Sequence, residues 1–400
     1  MMLKGVRVLD FTQYLAGPGA TRMMAEMGAE IIKVEQAPGG DPGRLLPVLR
    51  DGRSGFFVQQ NRGKQSLCMD LRKDEARAIV HALVPKVDIV IENFGPGVME
   101  KRGLDYATLS ALNPRLVMCS VSAFGRKSTL AHKTGYDWIA QAFSGLMHMT
   151  GPRDGAPHPV GLAIADANAA VHAFAALGYA LLHRAQTGAG QYIDLSMVDA
   201  LFHMHEYNVH GRSIAGDAFK PARMGAHHEL IAPFGVFRGP TGYFVIAVLQ
   251  LQWAGLCEAI GRPDLIDDAR YVDGTRRAQQ RENLVELIEA WAATMPDNDA
   301  VLAALEAARV PCGPVLDPLD ALDHPYFVDR GMVRTVSDPI LGQLQVPGFP
   351  FKFSALTELP DFEAPLLGEH NARVLGDLLG YDAARIAALE QDSVLISAPR

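Results

Sequence analysis

The 400-residue sequence has little of what marks secreted, membrane-spanning or nucleic-acid-binding proteins. Its four cysteines form no Cys-x-x-Cys pair and no other metal-ligand spacing, which indicates reduced core residues. Lys and Arg number 37 against 45 Asp and Glu, so the net charge of −8 offers no basic field to nucleic acid. The opening residues form no signal pattern, and the apolar run at 171–182 is too short and interrupted to span a bilayer. We therefore expect a cytoplasmic protein without a nucleic-acid or membrane partner.

Three common catalytic motifs are also incomplete. A dinucleotide-binding loop needs a third glycine, but Gly17-Pro18-Gly19 is followed by Arg22 at that position, which disfavours a nicotinamide-dependent oxidoreductase. The spacing from His205-Glu206 to His210 is one residue too long for a zinc-binding helix, so no metal site is expected. No Gly-x-Ser-x-Gly elbow is present, and no cysteine has an evident base partner in the sequence. A carboxylate remains as the candidate nucleophile.

Short β-branched runs alternate with helical patterns through the first half of the chain. Strands are predicted at 6–11, 30–35, 87–91, 116–121 and 191–195, and helices at 17–27, 74–83, 166–184 and 197–208. This alternation is typical of a parallel sheet with crossover helices. The predicted fold class is therefore α/β.

Changes in composition divide the chain into two domains joined by long linkers. We expect a large domain at 1–205 to which residues 346–400 return, a linker at 206–227, a smaller α+β domain at 228–315 and a second linker at 316–345. The small domain is predicted to contain a strand at 243–248 and helices near 251–260, 276–293 and 299–308, and terminal helices are predicted at 371–379 and 382–390. Residues 316–365 are rich in Pro, Asp and Gly, which predicts little regular structure there.

Asp166 has two interpretations. It follows a short apolar stretch and opens the clearest predicted helix, so it could simply be the residue that caps that helix. The positive end of a helix also stabilises an anion, which would keep the carboxylate ionised at neutral pH. An ionised carboxylate facing a pocket can attack an activated acyl group and form a covalent intermediate. The local pattern does not decide between the two.

Sequence motifs spread over residues 3–200 resemble those of the class III CoA-transferases, the family of formyl-CoA transferase, carnitine CoA-transferase and α-methylacyl-CoA racemase. The matching segments, in order along the chain, are 3–12, 16–18, 28–35, 61–67, 91–97, 112–116, 135–137, Asp166 and 187–191. The later part of the chain fits the small domain of this family more loosely. The resemblance implies a Rossmann-like large domain and an interlocked homodimer.

The resemblance also implies a mechanism and a set of site residues. Asp166 falls on the catalytic aspartate of the family, whose carboxylate takes CoA from an acyl-CoA donor as an aspartyl-CoA thioester and passes it to a carboxylic-acid acceptor. No permanently bound cofactor is implied, because the coenzyme A thioester is itself the substrate. The residues implied to surround CoA are Thr12, Gln13, Tyr14, Leu15, Ala16, Lys64, Asn93, Lys101 and Tyr136. Lys64 and Lys101 would contact phosphates, unless they are ordinary surface lysines, and Asn93 could equally cap the turn that follows it.

The residue at position 136 distinguishes two branches of the family that this sequence resembles. Racemases of the family carry histidine in a Gly-His-Asp segment as a proton-transfer base, whereas this chain has Gly135-Tyr136-Asp137. A tyrosine titrates near pH ~10 and a histidine near ~6.5, so the substitution favours CoA transfer over racemisation or epimerisation. Residues 223–245 lack the run of glycines found in the formyl-CoA branch, so the acceptor is expected to be another small acid, such as a dicarboxylate. A CoA-binding protein without catalysis remains a further alternative.

Overall fold

The computed structural model describes residues 1–356 and 358–398, and its elements alternate as the sequence predicts. The strands are β1 (Arg7–Asp10), β2 (Glu30–Gln36), β3 (Leu49–Arg50), β4 (Arg53–Ser54), β5 (Lys64–Met69), β6 (Ile89–Glu92), β7 (Val117–Ser122), β8 (Gln191–Ser196), β9 (Phe234–Gly239), β10 (Gly242–Ala247), β11 (Cys312–Pro314), β12 (Val333–Asp338) and β13 (Gly342–Pro347). The helices are α1 (Ala16–Glu26), α2 (Gly55–Asn61), α3 (Asp74–Leu83), α4 (Val98–Lys101), α5 (Tyr106–Leu112), α6 (Asp137–Phe143), α7 (Leu146–Met149), α8 (Ile164–Thr187), α9 (Met197–Phe202), α10 (Asn208–Ala215), α11 (Trp253–Ala259), α12 (Gly274–Gln279), α13 (Arg281–Ala292), α14 (Asn298–Ala307), α15 (Asp320–Asp323), α16 (Pro325–Asp329), α17 (Asn371–Leu379) and α18 (Ala383–Gln391).

A six-stranded sheet with the order β5-β2-β1-β6-β7-β8 forms the centre of the larger unit, and all its strand pairs are parallel. The strands other than the edge strand β8 are buried on both faces, which explains their apolar, largely β-branched runs. This confirms the predicted α/β class, although β5 was not predicted as a strand. The strand order reverses between β1 and β6. In parallel sheets, ligands bind beyond the carboxyl ends of the strands at such a point.

Helix α8 is the longest helix, and it packs against α1, α6 and α9 over one face of the sheet. It is long and apolar enough, by length and composition, to span a membrane, contrary to the expectation from its interrupted apolar run. Its alanines nevertheless pack into the core: Ala165, Ala169 and Ala173 are fully buried beside the sheet. One face of α8 therefore belongs to the core of this unit, while its opposite face is exposed.

The chain divides into two compact units. One contains Met1–Leu146, Val160–Val209 and the residues from Tyr326 onwards, and the other contains Met147–Pro159 and His210–Pro325. The C-terminal return to the large unit thus begins about twenty residues earlier than the predicted position 346, and residues 147–159 belong to the smaller unit. In the smaller unit, β11, β10 and β9 form an antiparallel sheet packed against helices, an α+β arrangement.

The prediction of little regular structure at 316–365 is wrong, because this segment contains the β12–β13 hairpin. Its apolar residues Val336 and Val346 pack against Phe57 and Val58 of α2. The carboxylate of Asp338 accepts hydrogen bonds from the backbone N–H groups of the turn. Alternating residues around an Asp-Pro…Gly turn were a usable hairpin signal, obscured by the overall composition.

Three helix predictions also needed correction. The helix predicted at 197–208 ends earlier, at Phe202 with α9, and a separate helix, α10, begins at Asn208 inside the predicted linker. The helix predicted at 276–293 is likewise divided, into α12 and α13. Helix α8 begins two residues before the predicted start at Asp166.

We predict opposite effects on stability for two Gly→Ala substitutions in the large unit. At Gly190, before β8, a Cβ would lie 2.0 Å from the backbone oxygen of Leu116, so Gly190→Ala should lower the free energy of unfolding. Gly39 lies in the exposed turn after β2, and a Cβ added there would meet no atom within 4 Å, so Gly39→Ala should raise stability by about 0.4–1 kcal/mol. Urea unfolding of both variants tests this, and an equal effect of the two would contradict it.

Candidate active site

A cavity of about 360 Å³ opens in the large unit at the carboxyl ends of β1, β6 and β7. It lies at the point where the strand order reverses. Its walls are residues 13–16 after β1, 93–96 after β6, 121–125 after β7, 131 and 133–137 before and at the start of α6, Ala163 and Asp166 at the start of α8, and Leu46, Phe56 and Met197. The topology therefore brings together most of the residues that the sequence predicts for one site.

The predicted site residues divide into two groups. Those that line the cavity are Gln13, Tyr14, Leu15, Ala16, Asn93, Tyr136 and Asp166. Those that do not are Thr12 and Lys64, which are buried, and Lys101, which is exposed at the end of α4.

Asp166 is the third residue of α8 and not its capping residue. The residue before the helix is Ala163, which has no side-chain acceptor. The acceptor comes from α6: Asp137 Oδ1 accepts hydrogen bonds from the backbone N–H groups of Ala165 (2.7 Å) and Asp166 (3.1 Å). The capping interpretation of Asp166 was therefore wrong, and its carboxylate is left to face the cavity.

The environment of Asp166 weakens its acidity instead of strengthening it. Burial, followed by the negative charge of Asp137, raises the pKa of Asp166 from 3.8 to about 7. The expectation that the helix end keeps this carboxylate fully ionised is therefore wrong, because Asp137 occupies the N–H groups that would stabilise the anion. Because this pKa lies near neutrality, both protonation states occur at neutral pH, and the ionised form is a more basic, stronger nucleophile than an ordinary aspartate.

Side chains from three other segments hold the loop between β1 and α1. The side-chain amide of Asn93 accepts a hydrogen bond from the backbone N–H of Gln13 and donates one to its oxygen, both at 2.8 Å. Asp41 accepts from the backbone N–H of Tyr14 at 3.1 Å, and Tyr14 has a positive φ of 63°. The Lys33 ammonium donates to the oxygen of Thr12 at 2.7 Å. The cavity wall is thus held in a left-handed conformation that tyrosine rarely adopts.

Lys64 is part of a buried charge cluster below this loop. Its ammonium lies 2.9 Å from Asp10 Oδ2 and also donates to the oxygens of Pro18 and Asn61. Its side chain is fully buried, so the expectation of a phosphate contact does not fit this position. Burial tends to raise the pKa of Asp10, but Lys64 and Lys33 outweigh it and hold that pKa well below its usual range. Burial lowers the pKa of Lys64 to about 8, although Asp10 acts in the opposite direction, so the pair is ionised at neutral pH.

Tyr136 and Tyr14 form an aromatic corner at the cavity. Their rings meet edge to face with centroids 6.1 Å apart, and Tyr136 is 71% exposed.

Among residues 1–356 and 358–398, no group of three His, Cys, Asp or Glu residues is placed to hold a metal ion. His205, from the motif that resembled a zinc helix, contacts the backbone oxygen of Ser144.

Sequence reasoning missed the roles of Asp137, Asp41 and Lys33. Asp137 was part of the quoted Gly-Tyr-Asp segment, but nothing in one sequence connects it to a helix that begins 27 residues later. Lys33 and Asp41 gave no signal, because a lysine in a buried strand is indistinguishable from an exposed one until its partner is known.

Comparison with known proteins identifies the class. The chain matches the model of CoA-transferase family III over residues 3–371. It is 40% identical over 386 residues to a succinyl-CoA:mesaconate CoA-transferase of Haloarcula hispanica, covering 94% of this chain and 96% of that protein. It is 33% identical over 389 residues to a succinyl-CoA:glutarate CoA-transferase of Mus musculus, covering 97% and 88%. A crystal structure of a CaiB/BaiF family protein from Brucella suis is similar with a TM-score of 0.81 and 33% identity, covering 94% and 99%.

The chain therefore belongs to CoA-transferase family III and is a CoA-transferase. This confirms the family inferred from the sequence motifs. The oxidoreductase and the non-catalytic CoA-binding protein are set aside, and the racemase is not favoured.

We predict that Lys64 supports the fold and does not bind substrate. Lys64→Met leaves the Asp10 carboxylate buried without its partner, which should lower the free energy of unfolding by about 3–5 kcal/mol. The double variant Asp10→Asn/Lys64→Met should recover much of this loss. Lys86→Met, at an exposed position away from the cavity, serves as the control. A Lys64→Met enzyme of normal stability with a raised KM for acyl-CoA would contradict the prediction.

The raised pKa of Asp166 predicts a pH-dependent cost to stability. Because the unfolded carboxyl ionises near 3.8 and the folded one near 7, ionisation favours the unfolded state as pH rises across that interval. Asp166→Asn removes the effect and should be more stable than the wild type at pH 8 by roughly 1–3 kcal/mol, with little difference at pH 4. Urea unfolding at both pH values tests this, and a pH-independent difference would contradict it.

Proposed function

We propose that this enzyme transfers CoA from succinyl-CoA to a small dicarboxylic acid of the mesaconate or glutarate kind, through an aspartyl-CoA thioester on Asp166. The observation that carries the proposal is an unpaired carboxylate, with no hydrogen bond to its oxygens among the described residues, facing a cavity at the switch point of the sheet. The substrate class is supported by relatives at 40% and 33% identity that act on succinyl-CoA with mesaconate or glutarate.

The proposed reaction takes place in two halves. The Asp166 carboxylate attacks the thioester carbonyl of the donor, the C–S bond breaks, and a mixed anhydride and CoA thiolate form. The thiolate then attacks the Asp166 carbonyl, breaks the anhydride C–O bond, releases the donor acid and leaves the aspartyl-CoA thioester. The acceptor carboxylate repeats these two steps in the reverse sense, forming its own CoA thioester and restoring the Asp166 carboxylate. Atoms and charge balance without a change of oxidation state.

The residues around the cavity support CoA binding in this arrangement. The loop of Gln13, Tyr14, Leu15 and Ala16 and the exposed Tyr136 ring would contact the pantetheine arm. Asn93 acts mainly through its two bonds to Gln13, and so shapes the cavity wall. Lys101, exposed at the end of α4, remains a candidate phosphate contact. Coenzyme A enters only as substrate, and no permanently bound cofactor is proposed.

We also propose a cytoplasmic homodimer. Large apolar side chains on α6 and α8 are exposed in the single chain, namely Trp138, Ile139, Phe143, Val171, Tyr179 and Leu182. Exposed apolar surface of this extent is typical of an interface, and a second copy of the chain would cover it.

The proposed function predicts a covalent adduct on Asp166. After brief incubation with succinyl-CoA in D2O, intact mass spectrometry should show a gain equal to coenzyme A minus one water, mapped to Asp166 by proteolysis. Asp166→Ala should show no adduct and lose turnover, while Asp154→Ala, an exposed aspartate of the smaller unit, should behave as wild type. Deuterium at the α-carbon of recovered thioesters without an adduct would support racemisation and overturn the proposal.

A further inference from the structure

Asp137 connects the first turn of α6 to the first turn of α8. It is 7% exposed, and its two carboxylate oxygens have separate tasks. Oδ1 accepts from the N–H groups of Ala165 and Asp166, at 2.7 Å and 3.1 Å. Oδ2 accepts from the side-chain amide of Gln141 at 2.6 Å, one helical turn further along α6. The bond to the Asp166 N–H is made to the backbone of the nucleophile itself.

Gln141 extends this connection to the segment that leads into α8. It is fully buried, its amide also donates to the oxygen of Leu162 at 3.3 Å, and its oxygen accepts from the N–H of Val160 at 3.0 Å. The entry to α8 is therefore fixed on α6 at several points, although Ala163 provides no cap of its own. Without these bonds, the free N–H groups of the first turn would be available to the Asp166 carboxylate.

We propose that Asp137 is a positioning residue for CoA transfer. By binding the N–H groups of Ala165 and Asp166, it orients the Asp166 carboxylate towards the cavity. It also prevents these N–H groups from binding the Asp166 carboxylate and lowering its nucleophilicity. The proposal rests on the proposed function of Asp166 as the nucleophile. Both carboxylate oxygens of Asp137 are engaged by Gln141, Ala165 and Asp166, so Asp137 acts on the reaction through Asp166.

The negative charge of Asp137 has a second effect on Asp166. Titratable and charged groups also lie on the elements that line the cavity or pack against α8: Tyr14, Lys133, Tyr136 and Asp137 at the cavity, Asp199 on α9 and His203 just after it, Asp194 on β8, Arg22 and Glu26 on α1, and His172 on α8 itself. Of these, Asp137 is the charge that adds to burial in raising the pKa of Asp166. Removing that charge while keeping an acceptor should therefore make Asp166 ionise at lower pH.

Asp137→Asn tests the charge directly. Selective ¹³Cγ-aspartate labelling follows the titration of Asp166 by NMR, with Asp166→Asn used to assign its resonance, so the measurement needs no substrate. The midpoint should fall by about one pH unit or more relative to wild type. Asp105→Asn is the matched control, because Asp105 caps α5 in the same way, with its carboxylate accepting from the N–H of Thr108. An unmoved midpoint in Asp137→Asn, or an equal shift in Asp105→Asn, would overturn the inference.

The double variant Asp137→Asn/Gln141→Glu provides a second measurement if Asp137→Asn alone does not fold. In Asp137→Asn, the introduced amide NH2 faces the NH2 of Gln141, and neither group can accept. The carboxylate introduced by Gln141→Glu would accept a hydrogen bond from that NH2. It would also place the negative charge at position 141, one hydrogen bond further from the N–H groups of Ala165 and Asp166. The midpoint of the double variant should also lie below that of the wild type. A midpoint equal to the wild-type value in a folded double variant would overturn the charge argument.

Asp137→Ala tests the positioning. Loss of the anchor should slow formation of the Asp166 adduct roughly 100-fold, with a much smaller change in KM for acyl-CoA. A loss no larger than the unfolded fraction, measured by circular dichroism, would overturn the positioning role. If Asp166 titrates as expected in these variants but the wild type forms no adduct, the proposed function fails and the positioning role fails with it, while the effect of the Asp137 charge on Asp166 stands. If the wild type forms the adduct and Asp137→Ala forms it at the wild-type rate, the proposed function stands and the positioning role fails.

Discussion

The cavity wall depends on the ion pair and hydrogen bonds of one buried carboxylate, that of Asp10. It lies at the end of β1, where the strand order reverses, and it accepts hydrogen bonds from Thr12 and Thr21 as well as from Lys64. An unpaired charge at this depth would cost several kcal/mol, so the position of each partner is strongly constrained. The loop that follows is then shaped by Lys33, Asp41 and Asn93, which explains how Tyr14 can keep a left-handed backbone.

Asp10 and Asp166 show how one side-chain type serves two purposes. Asp10 has cationic partners and hydroxyl donors, which keep it ionised, fixed and inert. Asp166 is also largely removed from water, but the charge that acts on it is that of another carboxylate, Asp137, so burial and this charge raise its pKa to about 7. A paired carboxylate is a poor nucleophile because its lone pairs are engaged, whereas an unpaired one retains its reactivity at a cost in stability. The environment, and not the residue type, assigns the structural and the chemical role.

Much of this arrangement could be predicted from the sequence. The strands of the sheet and the long helix follow from runs of Val and Ile and from an Ala-rich segment, and Asp166 follows from its place in the family pattern. Long-range partners could not be predicted: the cap of α8 comes from Asp137, and Lys64 looked like a phosphate ligand because its partner Asp10 lies 54 residues earlier. The pKa of Asp166 was mispredicted for the same reason. The sequence indicates that Asp166 begins a helix, but it does not indicate that the Asp137 carboxylate binds the N–H groups at that helix end.

In the proposed reaction, one oxygen of Asp166 is exchanged in each turnover: the released donor acid carries it away, and the acceptor acid replaces it. A single turnover with excess enzyme and an ¹⁸O-labelled dicarboxylate acceptor measures this exchange. If the aspartyl-CoA thioester forms, the donor acid is unlabelled and the peptide that contains Asp166 gains one ¹⁸O. Labelled donor acid with an unlabelled Asp166 would show that the acceptor attacks the donor thioester directly, and would rule out Asp166 as the nucleophile.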